Sequence, residues 1–78
     1  MLILKTLTDI PVKNTATVED LLFNGNLRER MLALGVTRGA SIQVIRKGPK
    51  GNLTVYNIRG TKIALRSEES NLIIVSEN

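Results

Sequence analysis

Five short runs of alternating apolar and polar residues, separated by turn-forming residues, restrict the fold of this chain more than any other feature. The runs are 15–23, 41–47, 53–58, 61–66 and 71–77. In the second run, Ile42 and Val44 alternate with Ser41 and Gln43, which is the period of a strand with one buried face. Short strands about ten residues apart are typical of a small all-β barrel or sandwich. The pattern therefore predicts a mostly β fold.

The length of the chain narrows this choice. Seventy-eight residues are enough for one small domain, spanning 1–78, and closure into a barrel would remove exposed strand edges. A small SH3-like five-stranded barrel matches this size best. An OB-fold is the alternative, although it usually needs longer strands. A weak homo-oligomer also stays open, because an exposed edge strand would allow two copies to pair.

One short α-helix is predicted at about residues 26–34. Leu27, Met31 and Leu34 share one helical face. Asn26 suits the N-cap position, with Glu29 three residues later as in a capping box. The Gly that follows at 35 can take the left-handed conformation that ends a helix, and Val36 is then expected to pack on Met31.

Two further segments carry turn signals. Residues 67–70, Ser-Glu-Glu-Ser, predict one helical turn with its acids at the positive end. Residues 48–52, Gly-Pro-Lys-Gly-Asn, predict a type I turn with Pro49 in its second position. Segment 48–52 lacks the spacing of a phosphate-binding loop, so we interpret it as a turn and not as a phosphate site.

An acid interrupts the first long run, and the strand is expected to bend there. The run reads TATVEDLLF, and Asp20 falls where an inward side chain is due. We expect Ala16, Val18 and Leu22 on one face of this strand. Residues 21 and 23 are expected on the other face, beneath the helix.

Composition argues against an enzyme or a metal protein. The chain has no cysteine and no histidine, so disulfides, zinc fingers and the commonest soft-metal ligands are excluded. The commonest general base and the usual activated nucleophile pairs are missing as well. Asp20, Glu68 and Glu69 do not have the spacing of an EF-hand loop. We therefore predict no catalytic residues, no bound cofactor and no metal site.

The basic residues concentrate in the middle of the chain. Between Arg28 and Arg66 there are nine basic residues and a single acid, Glu29. Such a region predicts an acidic protein partner, a nucleic acid or a membrane surface, although it is also compatible with a solvated surface. Proteins that bind single-stranded nucleic acid usually pair a basic groove with stacking aromatics. Only Tyr56 is a candidate for such an exposed ring, because Phe23 borders apolar residues.

Several motifs, taken together, resemble one family. The segment RERMLALGVTRG at 28–39 is similar to the short Arg-rich helix of the FeoA family, with its Leu-Gly-hydrophobic step and final Gly. The turn at 48–52, the Ile-Arg-Gly hairpin at 58–60 and the Ile-Ala-Leu-Arg strand at 63–66 follow in the family's order. Leu-Thr-Asp-Ile-Pro at 7–11 matches its opening.

The resemblance implies an SH3-like fold and a role in ferrous iron uptake. FeoA proteins are small cytoplasmic partners of the large membrane GTPase that imports iron(II), and they are expected to bind its cytosolic portion rather than to catalyse or insert into the membrane. Where the family commonly has Gly, Lys13 and Asn14 stand here, and we expect Asn14 to take the left-handed conformation. A nucleic-acid-binding barrel or an iron-responsive regulatory domain is the alternative.

A candidate partner-binding surface follows from the charge around the predicted helix. It comprises seven residues of the helix, its flanks and the following hairpin: Arg28, Arg30, Leu34, Arg38, Lys47, Lys50 and Tyr56. We expect the apolar face of the helix to be core and its Arg-rich face to meet the partner.

Overall fold

A six-stranded antiparallel sheet forms the frame of the protein, seen in a computed structural model that describes residues 3–78. The strands are β1 (Leu4–Thr6), β2 (Thr15–Leu21), β3 (Ser41–Lys47), β4 (Leu53–Ile58), β5 (Thr61–Arg66) and β6 (Ile73–Glu77). The helices are α1 (Gly25–Ala33) and α2 (Ser67–Ser70), with 3-10 turns at Leu7–Asp9 and Pro49–Gly51. The strand order across the sheet is β1-β6-β2-β3-β4-β5.

The mostly β fold is confirmed, with one strand more than predicted. All five predicted strands are present, and β1 is the addition. Three residues are too few to show a period of two, and β1 exists because β6 offers it a partner through pairs such as Leu4↔Ser76 and Thr6↔Ile74. β1 and β5 lie at opposite ends of the strand order and do not pair with each other. The described sheet is therefore not closed by hydrogen bonds.

One hydrophobic cluster lines the inner side of the sheet. Every strand except β1 contributes to it, and Ile42, Ile58 and Ile73 are completely buried. Leu7, which begins the first 3-10 turn, and Ile10, which directly follows it, are also fully buried in this cluster. Aliphatic side chains supply most of this core, as expected for a chain with so few aromatic residues.

The bend predicted in β2 is present, but its effect on the side chains was predicted wrongly. The pairing of β2 with β6 shifts register between Val18 and Asp20, which marks a β-bulge. An extra residue in a strand reverses which side chains face the core. Leu21 is therefore buried with Val18, whereas Leu22, predicted to point inward, is 56% exposed.

Helix α1 begins one residue before the predicted start, and its N-terminus differs from prediction. The N-cap residue is Asn24, not Asn26, and Gly25 takes a φ of +62° as the chain enters the helix. The capping box predicted for Asn26 and Glu29 is therefore wrong. Asn26 lies inside the first turn, so its side chain cannot occupy the cap.

The C-terminus of α1 is as predicted. The Val36 N–H donates to the Met31 carbonyl at 2.9 Å, and the Gly35 N–H donates to the Leu32 carbonyl at 3.0 Å. These are the two bonds of a Schellman motif, and they require the left-handed φ of +97° at Gly35. Val36 and Met31 are both buried in the core cluster.

Two turn conformations differ from expectation. Lys50 has a φ of +62°, which excludes a type I turn and matches the third position of a type II turn. In the loop between the first 3-10 turn and β2, Lys13 has a φ of +78°. The left-handed residue is therefore Lys13 and not Asn14. The predicted helical turn at 67–70 is α2, and the Glu69 carboxylate accepts the Arg66 N–H at 2.8 Å.

Within residues 3–78, no helix is both long and apolar enough to cross a membrane.

Candidate partner-binding surface

Charge is unevenly distributed over the sheet. From Arg30 to Ser67 the sequence contains no acid, so β3, β4, β5 and their connections carry basic residues alone. The seven acids lie in the first 3-10 turn, β2, α1, α2 and β6: Asp9, Glu19, Asp20, Glu29, Glu68, Glu69 and Glu77. Because β3, β4 and β5 are neighbours at one end of the strand order, the basic middle of the sequence becomes one half of the sheet.

Two of the seven predicted surface residues lie close to the same acid. The Arg38 guanidinium contacts the Asp20 carboxylate at 2.9 Å, and this hydrogen bond lowers the pKa of Asp20. The Leu21 N–H, which donates to the same carboxylate at 2.8 Å, lowers that pKa further, and Arg28 adds a weaker electrostatic contribution. The charge of Arg38 is thus already partly compensated within the chain.

The predicted hairpin residues lie at the other end of β3. Lys47 ends the strand and Lys50 lies in the turn beyond it, both exposed. A strand of this length spans about 20 Å, so these residues are remote from Arg38, which precedes the opposite end of β3. The Lys47 ammonium group lies 3.5 Å from the Thr8 carbonyl oxygen. The structure therefore does not gather the seven predicted residues into one patch.

The helix residues divide between core and surface differently from the prediction. Leu34 was predicted both to share the apolar face of α1 and to belong to the partner-binding surface. It is 39% exposed at the C-cap, where the helix ends, so it is not part of the buried face. Met31 is buried and Leu27 packs against the core. Arg30 is exposed and lies beside the side chains of β5.

Tyr56 was predicted at the surface and is instead part of the core. Its side chain is 1% exposed, and its hydroxyl hydrogen-bonds the Ser70 hydroxyl at 2.9 Å. Burial raises the pKa of the Tyr56 phenol. In β4 the buried positions are 54, 56 and 58, and this register places Tyr56 inward. Tyr56 therefore cannot contact a partner in this conformation.

The structure brings together a different set of residues on the outer side of β3, β4 and β5. A register shift in β3 between Val44 and Arg46 marks a bulge at Ile45. Ile45 and Arg46 consequently line the same shallow hollow, together with Val55 of β4 and Lys62 of β5.

The next cross-strand pairs extend this hollow. Val55 is opposite Ala64, and Leu53 is opposite Arg66. Arg30 of α1 lies beside the same residues in an adjoining hollow, which Glu68 and Glu69 border on the side of α2.

We call this set the outer face of β3–β5. It consists of Arg30, Ile45, Arg46, Leu53, Val55, Lys62, Ala64 and Arg66. The alternation of residues 61–66 did indicate that Lys62, Ala64 and Arg66 share a face. Sequence alone could not show which strands lie beside them or that a bulge turns Ile45 outward.

No group of three or more acidic residues among residues 3–78 is arranged to hold a metal ion. A polar hollow lies at the end of the sheet where β4 connects to β5, and it is lined by Gln43, Asn57 and Arg59 with their neighbours. The Asn57 side-chain oxygen is buried beside it and lacks a hydrogen-bond partner within the described part of the chain.

Comparison with known proteins identifies the family. The FeoA domain matches residues 5–77, which is nearly the whole chain. The chain belongs to the FeoA family. A search of curated proteins finds no significant match.

Solved FeoA structures have the same fold. The solution structure of iron(II) transport protein A from Clostridium thermocellum superposes with a TM-score of 0.89 at 27% identity, covering 94% of this chain. This chain spans only 45% of the length of that protein.

The zinc complex of FeoA from Stenotrophomonas maltophilia, an SH3 domain protein, gives a TM-score of 0.79 at 28% identity. The match covers 91% of this chain and 88% of that one. The SH3-like fold is thereby confirmed.

A similar fold occurs in a manganese-dependent transcriptional repressor. It superposes with a TM-score of 0.88 over all of this chain and 44% of the repressor, at 14% identity. At that identity the likeness concerns the fold alone.

Proposed function

We propose that this FeoA protein is a non-catalytic accessory protein of ferrous iron uptake that binds the cytosolic portion of a membrane GTPase which imports iron(II). The observation that carries the proposal is the family match over residues 5–77. It agrees with the similarity to iron(II) transport protein A of C. thermocellum. The S. maltophilia relative, in turn, has been put forward as a ferrous iron transport activating factor. The protein would act in the cytoplasm, where that portion of the transporter lies.

The charge distribution supports a binding role. Half of the sheet carries basic residues without acids, and one-signed surfaces favour fast, selective association with a partner of opposite charge. Arg30, Lys47 and Lys50 are exposed on this half. We propose that they contribute to attraction of the partner, together with Arg28, Leu34 and Arg38 around the helix.

The alternative of nucleic-acid binding has less support. Both aromatic side chains, Phe23 and Tyr56, are buried, so neither can stack on a base. Single-strand binders gain a large part of their affinity from such stacking.

Two measurements test the proposed function. Ferrous iron uptake is measured in cells that lack their own copy of this protein, with and without the gene restored. Binding of the purified protein to the cytosolic domain of the host's iron(II) transporter GTPase is measured by calorimetry. Restored uptake together with saturable binding supports the proposal. Full uptake without the protein, or no binding at micromolar concentrations, contradicts it.

A further inference from the structure

The outer face of β3–β5 combines unpaired cations with exposed aliphatic side chains. Two ion pairs are found among residues 3–78, Lys5–Glu77 and Arg38–Asp20. The cations of β3 and β5 that belong to this face, Arg46, Lys62 and Arg66, take part in neither pair. Each is exposed, so each is free to meet an acid from another molecule.

The centre of this face is apolar. Leu53, the first residue of β4, is 46% exposed and lies opposite Arg66, the last residue of β5. Val55 and Ile45 are partly exposed beside it, and Ala64 is exposed. An apolar centre surrounded by charged residues is the usual composition of a protein–protein contact.

The position of β5 makes the face accessible. Within the described sheet, β5 pairs only with β4 and forms an edge. Lysine and arginine on an edge strand also discourage strand pairing between copies, so a second copy of this chain is a poor occupant for a face that would oppose like charges. A carboxylate-bearing partner has complementary charge.

The absence of exposed aromatic side chains further specifies the occupant. With Phe23 and Tyr56 both buried, the face offers no stacking platform for a nucleic acid. Its aliphatic centre instead fits leucine-like side chains.

We infer that the outer face of β3–β5 binds an acidic protein segment that carries aliphatic side chains. Its carboxylates would pair with Arg46, Lys62 and Arg66, and its apolar residues would cover Leu53 and Val55. The inference rests on the proposed function in one respect: the natural source of the segment would be the cytosolic portion of the transporter.

The test uses the isotope-labelled full chain and three probes, followed by amide chemical shifts. The probes are the transporter's cytosolic domain, a synthetic peptide of glutamate and leucine residues, and a single-stranded oligonucleotide of the same net charge. We expect the peptide to shift amides of β3, β4 and β5. Shifts confined to α1 and its flanks, or tighter binding of the oligonucleotide than of the peptide, would overturn the inference.

Matched variants separate this face from general charge. Arg46→Glu with Lys62→Glu should weaken peptide binding at least about tenfold, as expected for opposed interface charges. Lys5→Glu with Lys13→Glu makes the same change in net charge on β1 and on the loop before β2, away from the face, and should weaken binding less than about twofold. Leu53→Ser keeps the charge and should also weaken binding. If the two charge variants lose equal affinity for the peptide, the effect depends on net charge alone, which contradicts the inference.

The measurement with the transporter's cytosolic domain distinguishes the proposed function from the proposed binding surface. If the peptide binds β3–β5 but the transporter domain does not bind at all, the surface stands and the proposed partner falls. If the transporter domain binds through α1 and leaves β3–β5 unshifted, the accessory function stands and the surface falls.

Discussion

Three basic residues take a backbone conformation that normally favours glycine or asparagine. Lys13, Lys50 and Arg59 all have positive φ values, which cost an L-residue roughly 1–2 kcal/mol. Arg59 and Gly60 connect β4 to β5 as a two-residue turn with φ values of +53° and +84°. These are the signs of a type I′ turn, whose first position usually holds asparagine or glycine. The chain thus keeps cations at positions where smaller residues would relieve strain.

The strain at Lys13 can be measured. Lys13→Gly should raise the free energy of unfolding by up to about 1 kcal/mol, because relief of the left-handed backbone outweighs the extra entropy of the unfolded chain. Asn14→Gly is the matched control. It should lower stability by about 1 kcal/mol, since it adds flexibility and removes the hydrogen bond from the Asn14 side chain to Glu77. Urea denaturation measures both, and the opposite ranking would place the left-handed residue at Asn14.

The hydroxyl pair of Tyr56 and Ser70 is expected to stabilise the fold as a unit. Both side chains are about 99% buried and joined at 2.9 Å. Tyr56→Phe or Ser70→Ala should each cost about 1 kcal/mol, because the remaining hydroxyl loses its buried partner. The double variant should cost less than the two single costs together. If thermal or urea unfolding shows that the double variant loses as much stability as the two single variants together, the hydrogen bond does not couple the two residues.

At the scale of elements, α1 and the β4–β5 turn depend on each other. The Arg59 side chain covers Gly35, and its guanidinium donates to the Thr37 hydroxyl at 3.0 Å. A Cβ added at Gly35 would lie 3.0 Å from the Arg59 Cδ, whereas one at Gly39 would meet nothing within 4 Å. The end of the helix is therefore fixed by local sequence and by a residue from a distant turn.

This coupling gives an element-scale prediction. Gly35→Ala and Gly39→Ala should each cost roughly 1–2 kcal/mol, because both glycines have left-handed backbones. Gly35→Ala should cost more, owing to the contact with Arg59. In an Arg59→Ala background the two costs should agree within about 0.5 kcal/mol. An excess that persists there would point to a contact other than Arg59.

At the scale of the whole molecule, stability should be flat from about pH 5 to pH 9, because the chain has no histidine. Hydrogen bonds from Arg38 and from Lys5 lower the pKa of Asp20 and of Glu77 below their ordinary values of 3.8 and 4.5. The stability that these two carboxylates contribute is complete above their ordinary pKa values. It is lost as the pH falls through their lower pKa values in the folded protein. The hydrogen bond with Glu77 raises the pKa of Lys5, so at the alkaline limit its stabilisation is lost as pH rises.

Glu77→Gln tests the acid limb. Glu77 joins β6 to β1 through Lys5 at 2.8 Å. The variant should be less stable than the wild type at neutral pH, and the difference should shrink as pH falls below the range in which Glu77 ionises. Urea denaturation from pH 2 to pH 9 measures this difference. A gap that stays constant down to pH 2 would mean that the charge of Glu77 does not stabilise the fold.

The sequence determined the local features of this protein. Period-two alternation located β2 to β6, and Gly35 located the end of α1, because both signals depend on neighbours along the chain. Absence of histidine and cysteine is likewise a property of the sequence. Recognition of the family required only the order of a few short motifs.

Tertiary structure decided which residues share a surface. The bulge in β2 exposed Leu22. The bulge at Ile45 turned that residue outward beside Lys62 of β5, which lies two strands away in the sheet. Tyr56 became core because the register of β4 against its neighbours points it inward. Such outcomes depend on long-range pairing, in which a slip of one residue reverses every side chain. The sequence therefore indicated a basic partner-binding region, while only the fold could place its cations around an apolar centre.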